Sequence, residues 1–272
     1  MGVGEVFEPW LRRWQLRPDG DGIVTPGSDL LPVRLPDGTA AMLKIARDRD
    51  ERAGAALMQW WDGDGAARVF ALEGDALLME RAQGAESLMA MALQGRDDAA
   101  SRIACDVVAR LHAPRSAPWP HDLVPLERWF AALRTAAGRE GGVFARAQTV
   151  ADDLLVTAEP ARPLHGDIHH GNVLDFGARG WLAIDPKYLV GNRGYDYANL
   201  LCNPELPTVT HPARFSRQVE VIAAASGLAP EPLLRWTLAY AGLSAAWFLE
   251  DGDAASAASD LAVAGLALAA LG

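Results

Sequence analysis

The sequence predicts an α+β fold of two lobes, an N-terminal β-sheet lobe and a helical C-terminal lobe. Three observations lead to this prediction. Strand-like apolar runs separated by turn residues fill the first 80 residues, helical periodicity dominates after residue 86, and a non-helical island interrupts the helices at 163–185. A chain of 272 residues is long enough to form two such lobes.

The composition indicates a folded protein with an acidic surface. Half of the residues are hydrophobic, and 25 Lys and Arg stand against 35 Asp and Glu, which gives a net charge of −10. Nucleic acids and anionic membranes bind basic patches, so we expect neither as a partner. A small cationic molecule fits this charge balance, and we expect the protein to be a monomer.

The sequence also suggests a location in the cell. Cys105 and Cys202 lie in apolar, helix-like runs, which suits a reducing compartment better than a disulfide. Charged residues and a proline interrupt the apolar positions of residues 1–17, so no signal peptide is expected there. The apolar run after Asp260 is shorter than the about 20 residues of a membrane span, so we expect a packed terminal helix. We therefore expect a cytoplasmic protein.

The first lobe is predicted to contain a five-stranded sheet and one helix. Two hairpins are indicated by short apolar runs on either side of the turns Pro36-Asp37-Gly38 and Glu73-Gly74-Asp75. Between the hairpins, apolar residues recur at helical spacing. The hairpin strands are expected at 30–35, 39–46, 68–72 and 76–80, and the helix at 48–61.

A short glycine-containing connector at 81–85 is predicted to be the hinge between lobes. It separates an N-terminal lobe at 1–80 from a helical lobe at 86–272, which contains the island at 163–185. Helices are expected at 86–94, 97–112, 126–138, 142–158, 194–202, 213–226, 231–249 and 254–270.

The island contains three oxygen-bearing side chains at defined spacing. His165-Gly166-Asp167 is followed after four residues by Asn172, and Asp185 ends the next apolar strand. Transfer of a γ-phosphoryl group requires a carboxylate that orients the acceptor hydroxyl and oxygen ligands that hold Mg²⁺. Asp167 suits the first role, and Asn172 and Asp185 suit the second.

These motifs resemble the aminoglycoside phosphotransferase family more than the protein kinases. Gly166 stands where protein kinases have Arg, His169 stands where they have Lys, and Asp185-Pro186-Lys187 replaces Asp-Phe-Gly. Residues 51–57 and 234–253 resemble the streptomycin 6-phosphotransferase and hydroxyurea resistance kinase branch. The resemblance spans about residues 14–253, and it implies a bilobal protein-kinase-like fold.

The resemblance implies that the lobe at 1–80 binds nucleotide and that the ATP site lies between the lobes. It also implies that the island at 163–185 is the catalytic loop and that the helical lobe carries the acceptor site. Lys44 matches the lysine that grips the α- and β-phosphates, and Glu51 is its expected ion-pair partner, with Glu73 and Glu80 as competitors. Glu80 and Ala82 fall in the hinge segment whose backbone would bind adenine. Position alone places the phosphate-covering loop around Thr25 and Ser28.

The same resemblance implies a cationic acceptor. Carboxylates suit the guanidinium groups of a streptomycin-like molecule, and Trp247 could form a cation-π wall. The candidate carboxylates for binding the acceptor are Glu250, Asp251 and Asp253, which follow Trp247 in the sequence. A simpler interpretation is that these three acids form a solvated helix end.

The expected activity is ATP- and Mg²⁺-dependent O-phosphorylation of an aminoglycoside antibiotic, with streptomycin at the 6-position as the expected acceptor and antibiotic resistance as the result. Three alternatives remain open. The acceptor could be hydroxyurea or another small hydroxyl metabolite, and the protein could be a catalytically silent nucleotide-binding regulator. The third alternative is a metal hydrolase that uses His165, His169 and His170.

Overall fold

The N-terminal lobe is built on an antiparallel sheet of six strands. The computed structural model describes residues 3–47, 49–156, 160–204 and 208–272. The strand order is β1-β3-β4-β6-β5, with β2 paired to β3. Along the chain this lobe contains α1 (Val3–Arg13), β1 (Arg17–Pro18), β2 (Ile23–Val24), β3 (Ser28–Arg34), β4 (Ala40–Ala46), α2 (Arg49–Trp61), β5 (Val69–Glu73) and β6 (Ala76–Glu80).

Alternation along β4 determines which side chains face the second lobe. Ala41, Leu43 and Ile45 belong to a core shared with Phe7 of α1. Because successive strand residues point to opposite faces, Lys44 lies on the other face, which α2 covers. The strand therefore turns Lys44 away from the α1 core.

The prediction of five strands and one helix is wrong for this lobe. The structure contains β1 and β2 as separate strands, and α1 precedes them. The two strands span two residues each and are exposed, so they leave no alternating pattern in the sequence. The charged residues and Pro9 of α1 were considered only as evidence against a signal peptide, although charged and apolar residues lie on opposite faces of this helix. The predicted start of α2 at residue 48 lies outside the described residues.

The second lobe is mainly helical, which confirms the predicted fold class. Residues 81–86 form an irregular segment between β6 and the first helix of this lobe. The helices are α3 (Leu88–Met91), α4 (Asp97–Leu111), α5 (Leu126–Trp129), α6 (Ala131–Glu140), α7 (Gly142–Leu155), α8 (Gly194–Ala198), α9 (Pro212–Ser226), α10 (Pro230–Glu250) and α11 (Ala254–Leu271). The predicted end of the helix at 142–158 falls on residues 157–158, outside the described part.

Aromatic packing around α10 forms the centre of this lobe. Trp236 and Tyr240 of α10 pack edge-on against Tyr195 of α8, with ring centroids 6.3 and 5.4 Å apart. Phe130 contacts both Tyr195 and Trp236 in the same way. Edge-to-face pairs add to the stabilisation from burial, so α8 is held firmly behind the catalytic loop.

Short strands carry the catalytic loop. The strands β7 (Val124–Pro125), β8 (Arg162–Leu164), β9 (Val173–Asp175), β10 (Trp181–Ala183) and β11 (Leu189–Gly191) form a pair, β9 with β10, and a three-stranded sheet, β7-β11-β8. The sequence predicted strands at 173–176 and 181–184, which correspond to β9 and β10, but it did not predict β7, β8 or β11, since strands this short carry no periodic signal.

The terminal helix α11 packs along α10 and α7. By length and composition alone it is apolar enough to cross a membrane, and 28% of it is buried inside the protein. Ala257, Val263, Ala264 and Ala267 face the core of the lobe. Asp260 is also buried, on a helix that otherwise consists mainly of apolar residues.

Candidate active site

Asp167 lies in a loop that begins directly after β8. Gly166 has φ +83°, and a Cβ at this position would lie 2.7 Å from Cδ1 of Leu189, so glycine allows both the turn and the close contact. Oδ1 of Asp167 accepts a hydrogen bond from Asn199 at 3.2 Å. Asn172 Nδ2 donates to the Asp167 backbone carbonyl at 2.9 Å and lies 3.4 Å from its Oδ2. The carboxylate is thereby oriented from both sides.

Asp196 of α8 holds the catalytic loop in place through hydrogen bonds to its backbone. Its carboxylate accepts backbone hydrogen bonds from His165 at 2.9 Å and Gly166 at 2.7 Å, and another from His112 Nε2 at 2.8 Å. Burial raises the pKa of Asp196, but the bond to His112 and the other favourable interactions outweigh burial and hold the pKa below its usual value. Asp196 therefore binds the loop as a carboxylate.

His165 connects the loop to the strand that precedes Asp185. Its Nε2 donates to the carbonyl of Ile184 at 2.8 Å, and its Nδ1 accepts the amide of Asp167 at 3.2 Å. Burial is the main cause that lowers the pKa of His165, so the ring is neutral with its proton on Nε2. The ring also stacks on Trp61 of α2, with centroids 6.2 Å apart.

The structure brings Asn172 and Asp185 to one place. The carbonyl of Asn172 accepts the amide of Ile184 at 2.9 Å, so the chain enters Asp185 directly beside Asn172. Asp185 has φ +66°, an uncommon conformation for a residue with a side chain. Its carboxylate forms an ion pair with Lys44.

Glu51 is the partner of Lys44, as the sequence predicted. Oε2 of Glu51 contacts Lys44 Nζ and accepts a hydrogen bond from the Ser28 hydroxyl at 3.2 Å. The two competitors are engaged elsewhere, because Glu73 pairs with Arg13 and Glu80 lies 3.6 Å from Arg179. One helical turn after Glu51, Gly54 lets α2 approach the Asp185 segment.

Lys44 keeps Asp185 ionised. Burial raises the pKa of Asp185, whereas the charge and hydrogen bond of Lys44 lower it, and the pKa lies below its usual value. The amide oxygen of Asn172 and this carboxylate are the hard oxygen donors that Mg²⁺ prefers. The donor chemistry of the two residues therefore fits a divalent cation.

A cavity of about 360 Å³ lies between the sheet, α2 and Asp185. Thr25 and Gly27 line it, together with Lys44, Glu51 and Met79. Ser28, predicted beside Thr25 in a phosphate-covering loop, is the first residue of β3 and is buried against Glu51.

The hinge residues lie beside this cavity without lining it. The Glu80 amide donates to the Arg68 carbonyl at 2.8 Å, as part of the sheet edge. Ala82 packs against the apolar cluster that contains Met79 and Phe176. Adenine contacts through Glu80 and Ala82 remain a prediction.

A second cavity, of about 740 Å³, is lined by Asp167. Trp247 lines it, as predicted, and packs edge-on against Trp129 with ring centroids 5.2 Å apart. Asn199, Tyr240 and Asp260 line it as well. Its position next to Asp167 makes it the natural place for an acceptor.

The structure does not place the three predicted acids in this cavity. Glu250, Asp251 and Asp253 are exposed where α10 ends and α11 begins, and none of them lines the cavity. Asp253 instead caps α11, with its carboxylate accepting the amide of Ser256 at 3.0 Å. Capping accounts for Asp253 alone, because carboxylates such as those of Glu250 and Asp251 are mildly unfavourable at the C-terminal end of a helix. Contact of the three acids with an acceptor stays a prediction.

Sequence reasoning missed Asp260 and Asn199. Asp260 is 6% exposed, and burial raises its pKa to about 6, opposed by a hydrogen bond from Ser244. A lone acid inside an Ala- and Leu-rich run was the available signal, since buried carboxylates without a role are rare. Asn199 had no signal beyond its position after Asp196.

The histidines do not form a metal centre. Among the residues that the structure describes, no group of three or more His, Cys, Asp or Glu side chains is arranged to hold a metal ion. His165 bonds within the loop, and His169 Nδ1 accepts the amide of Gly171 at 3.0 Å. The metal hydrolase alternative therefore has no support in the described geometry.

Two lobes with a catalytic carboxylate loop between two cavities define a phosphotransferase of the kinase-like class. The profile of the family described as aminoglycoside/hydroxyurea antibiotic resistance kinase matches residues 13–252. The chain belongs to this family, which confirms the resemblance that its motifs suggested. It is accordingly a phosphotransferase with an alcohol group as acceptor.

Individual relatives agree with this assignment. The chain is 52% identical to streptomycin 3''-kinase from Klebsiella pneumoniae, with 94% of this chain and 98% of the relative covered. It is 32% identical to streptomycin 6-kinase from Streptomyces griseus, over 97% of this chain and 88% of that protein. A solved aminoglycoside phosphotransferase, APH(4)-Ia with ADP and hygromycin B, has the same fold, with a TM-score of 0.66 at 13% identity and coverage of 98% and 99%.

Proposed function

We propose that this protein transfers the γ-phosphoryl group of ATP to a hydroxyl of streptomycin, at the 3''-position. The observation that carries this proposal is the neighbourhood of two cavities. Lys44, Glu51 and Asp185 line one of them, and Asp167 lines the other together with Trp247 and Asp260. Their linings are linked by Lys187, whose Nζ lies 3.6 Å from Glu51 and 3.8 Å from Asp167. A donor and an acceptor can thus meet at one carboxylate.

In the nucleotide cavity, side chains that other residues already hold in position would neutralise the negative charge of the phosphates. Lys44 is buried and is oriented by Glu51 and Asp185, so it can bind phosphate oxygens without reorganising. Asn172 and Asp185 would hold Mg²⁺, which neutralises charge on the β- and γ-phosphates when it is bound. Nucleotide binding by a solved protein of the same fold supports this assignment.

On the acceptor side, Asp167 orients the reacting hydroxyl. Asn199 holds its Oδ1, so the carboxylate presents a fixed acceptor for the hydroxyl proton. Asp260 and Trp247 offer a buried carboxylate and an indole face to a guanidinium group. Together they favour a large cationic acceptor over a small neutral one.

The 3''-position replaces the 6-position as the proposed site of transfer. It is supported by the 52% identity to a streptomycin 3''-kinase across nearly the whole of both chains, compared with 32% to a streptomycin 6-kinase. Phosphorylation adds about −1.5 to −2 charges to the drug. This added charge opposes binding of the drug to RNA phosphates, which would give resistance.

The test incubates the protein with ATP and Mg²⁺ and, separately, with streptomycin, hydroxyurea and a neutral sugar. We expect a phosphorylated product from streptomycin alone, detected by mass spectrometry, with ³¹P–¹H correlation spectroscopy locating the phosphate on the 3''-oxygen. A 6-phosphate would correct the position, and turnover of hydroxyurea alone would overturn the proposed acceptor. ADP release with no acceptor in the panel would support the nucleotide-binding regulator.

A further inference from the structure

The chain contains only two lysines, Lys44 and Lys187, among 25 Lys and Arg residues. All the other residues in this count are arginines. The structure places both lysines in the same network of ion pairs between the two cavities. Lys44 is proposed to bind the nucleotide phosphates, and the role of Lys187 in the same network needs a separate explanation.

Lys187 lies between the nucleotide side and the acceptor side. Its Nζ is 3.6 Å from Glu51 Oε1 and 3.8 Å from Asp167 Oδ2. Its backbone amide donates to the His165 carbonyl at 2.7 Å, and this bond holds the Lys187 backbone against the catalytic loop. Glu51 thus connects the two lysines, with Oε2 at Lys44 and Oε1 at Lys187.

The separations leave room for another oxygen at the ammonium group. Both exceed the about 2.7–3.2 Å of an ordinary N–H···O hydrogen bond. The Lys187 side chain is 28% exposed and lines the acceptor cavity beside Asp167. A phosphoryl group transferred from the cavity with Lys44 to a hydroxyl at Asp167 would lie near this ammonium, because Nζ is within 4 Å of Glu51 in one cavity and of Asp167 in the other.

We propose that Lys187 is a catalytic residue that contacts the γ-phosphoryl group and neutralises its charge during transfer. In this step the bond between the acceptor oxygen and the γ-phosphorus forms, and the bond from that phosphorus to the β–γ bridging oxygen breaks. The hydroxyl proton goes to Asp167, and ADP leaves. The inference rests on the proposed phosphoryl transfer and adds a residue to it.

Local electrostatics are consistent with this role. The ammonium of Lys187 faces the carboxylates of Glu51 and Asp167, and a lysine side chain beside two carboxylates is charged at neutral pH. A compact ammonium on a flexible stem can follow a moving phosphoryl oxygen, whereas the planar fork of arginine prefers a fixed bidentate partner. This difference offers a reason for lysine in a chain that otherwise uses arginine.

The test compares wild type with Lys187→Met, Lys187→Arg and a control, Arg52→Met, which removes a surface cation paired with Asp75. Affinities for ADP and for the non-hydrolysable ATP analogue AMP-PNP, each with Mg²⁺, are measured by calorimetry. We expect Lys187→Met to lose about tenfold in AMP-PNP affinity with ADP affinity unchanged. We also expect kcat with streptomycin to fall about 100-fold at an unchanged KM.

Lys187→Arg is expected to recover part of both losses, and Arg52→Met to behave as wild type. Wild-type discrimination between the two nucleotides and wild-type kcat in Lys187→Met would overturn the proposal. Equal loss of ADP and AMP-PNP affinity, accompanied by a lower Tm, would also overturn it, because it would show a structural role. The nucleotide comparison needs no acceptor, so it decides the question even if streptomycin proves to be the wrong substrate.

Discussion

At the scale of single residues, Asp260 shows how a binding group can oppose folding. Burial raises its pKa from the usual 3.8 to about 6, so the folded protein binds its proton more tightly than the unfolded chain does. Stability from this group is fully present below pH 3.8 and is lost as the pH rises through 6. Two pKa units correspond to about 3 kcal/mol of stability lost at neutral pH.

Replacement of Asp260 by Asn is expected to separate these two effects. The free energy of unfolding should rise at pH 7 and depend less on pH between 4 and 7, because the amide does not ionise. The KM for streptomycin should rise about tenfold, since one charge-assisted contact is lost. Urea unfolding at several pH values and steady-state kinetics measure the two effects.

The matched control is Asp251→Asn, at an exposed position at the end of α10. We expect it to leave both the KM and the pH dependence of stability as in wild type. A raised KM in Asp251→Asn together with an unchanged KM in Asp260→Asn would contradict the placement of the acceptor cavity. It would restore the exposed acids that the sequence first suggested.

At the scale of elements, α8 acts as the support of the catalytic loop. Asp196 joins three parts of the fold, because it binds two loop amides and the ring of His112 at the end of α4. The aromatic cluster on α10 fixes α8 in turn. The position of Asp167 therefore depends on a buried carboxylate that does not line either cavity.

Asp196→Ala is expected to lower the free energy of unfolding by about 3 kcal/mol or more, because it leaves buried donors without their acceptor. Its depressed pKa also predicts that wild type loses stability as the pH falls below the usual range of Asp, and that this loss is smaller in the variant. Denaturant unfolding between pH 3 and pH 7 measures both. Asp75→Ala, which removes a surface ion pair, should cost less than about 1 kcal/mol, and equal losses in the two variants would contradict the role given to Asp196.

The sequence predicted the residues of the candidate site best where the proposed reaction requires both a particular residue type and a particular spacing. The spacing of Asp167, Asn172 and Asp185 indicated a shared site, and the resemblance implied that Lys44 pairs with Glu51. It failed where local pattern is weak, as for β1, β2, β7 and β11. It also failed at Asp260, because a single acid in an apolar helix shows its cavity only after α11 has packed against α10.

At the scale of the whole molecule, each of the two lobes contributes different residues to the candidate active site. The sheet lobe contributes Lys44 and Glu51, and the helical lobe contributes Asp167, Asn172 and Asp185. The ion pairs of Lys44 with Glu51 and Asp185 connect the lobes at the place where phosphoryl transfer is proposed. In the proposed reaction, a nucleotide bound beside Lys44 and an acceptor bound beside Trp247 would meet near Asp167.

The most direct test of this account is the turnover number of Asp167→Asn with streptomycin and ATP, measured as streptomycin-dependent ADP release. The account predicts a loss of about 100-fold or more in kcat, because the amide cannot take the hydroxyl proton, with AMP-PNP affinity unchanged. A variant that binds nucleotide and phosphorylates streptomycin at the wild-type rate would contradict it.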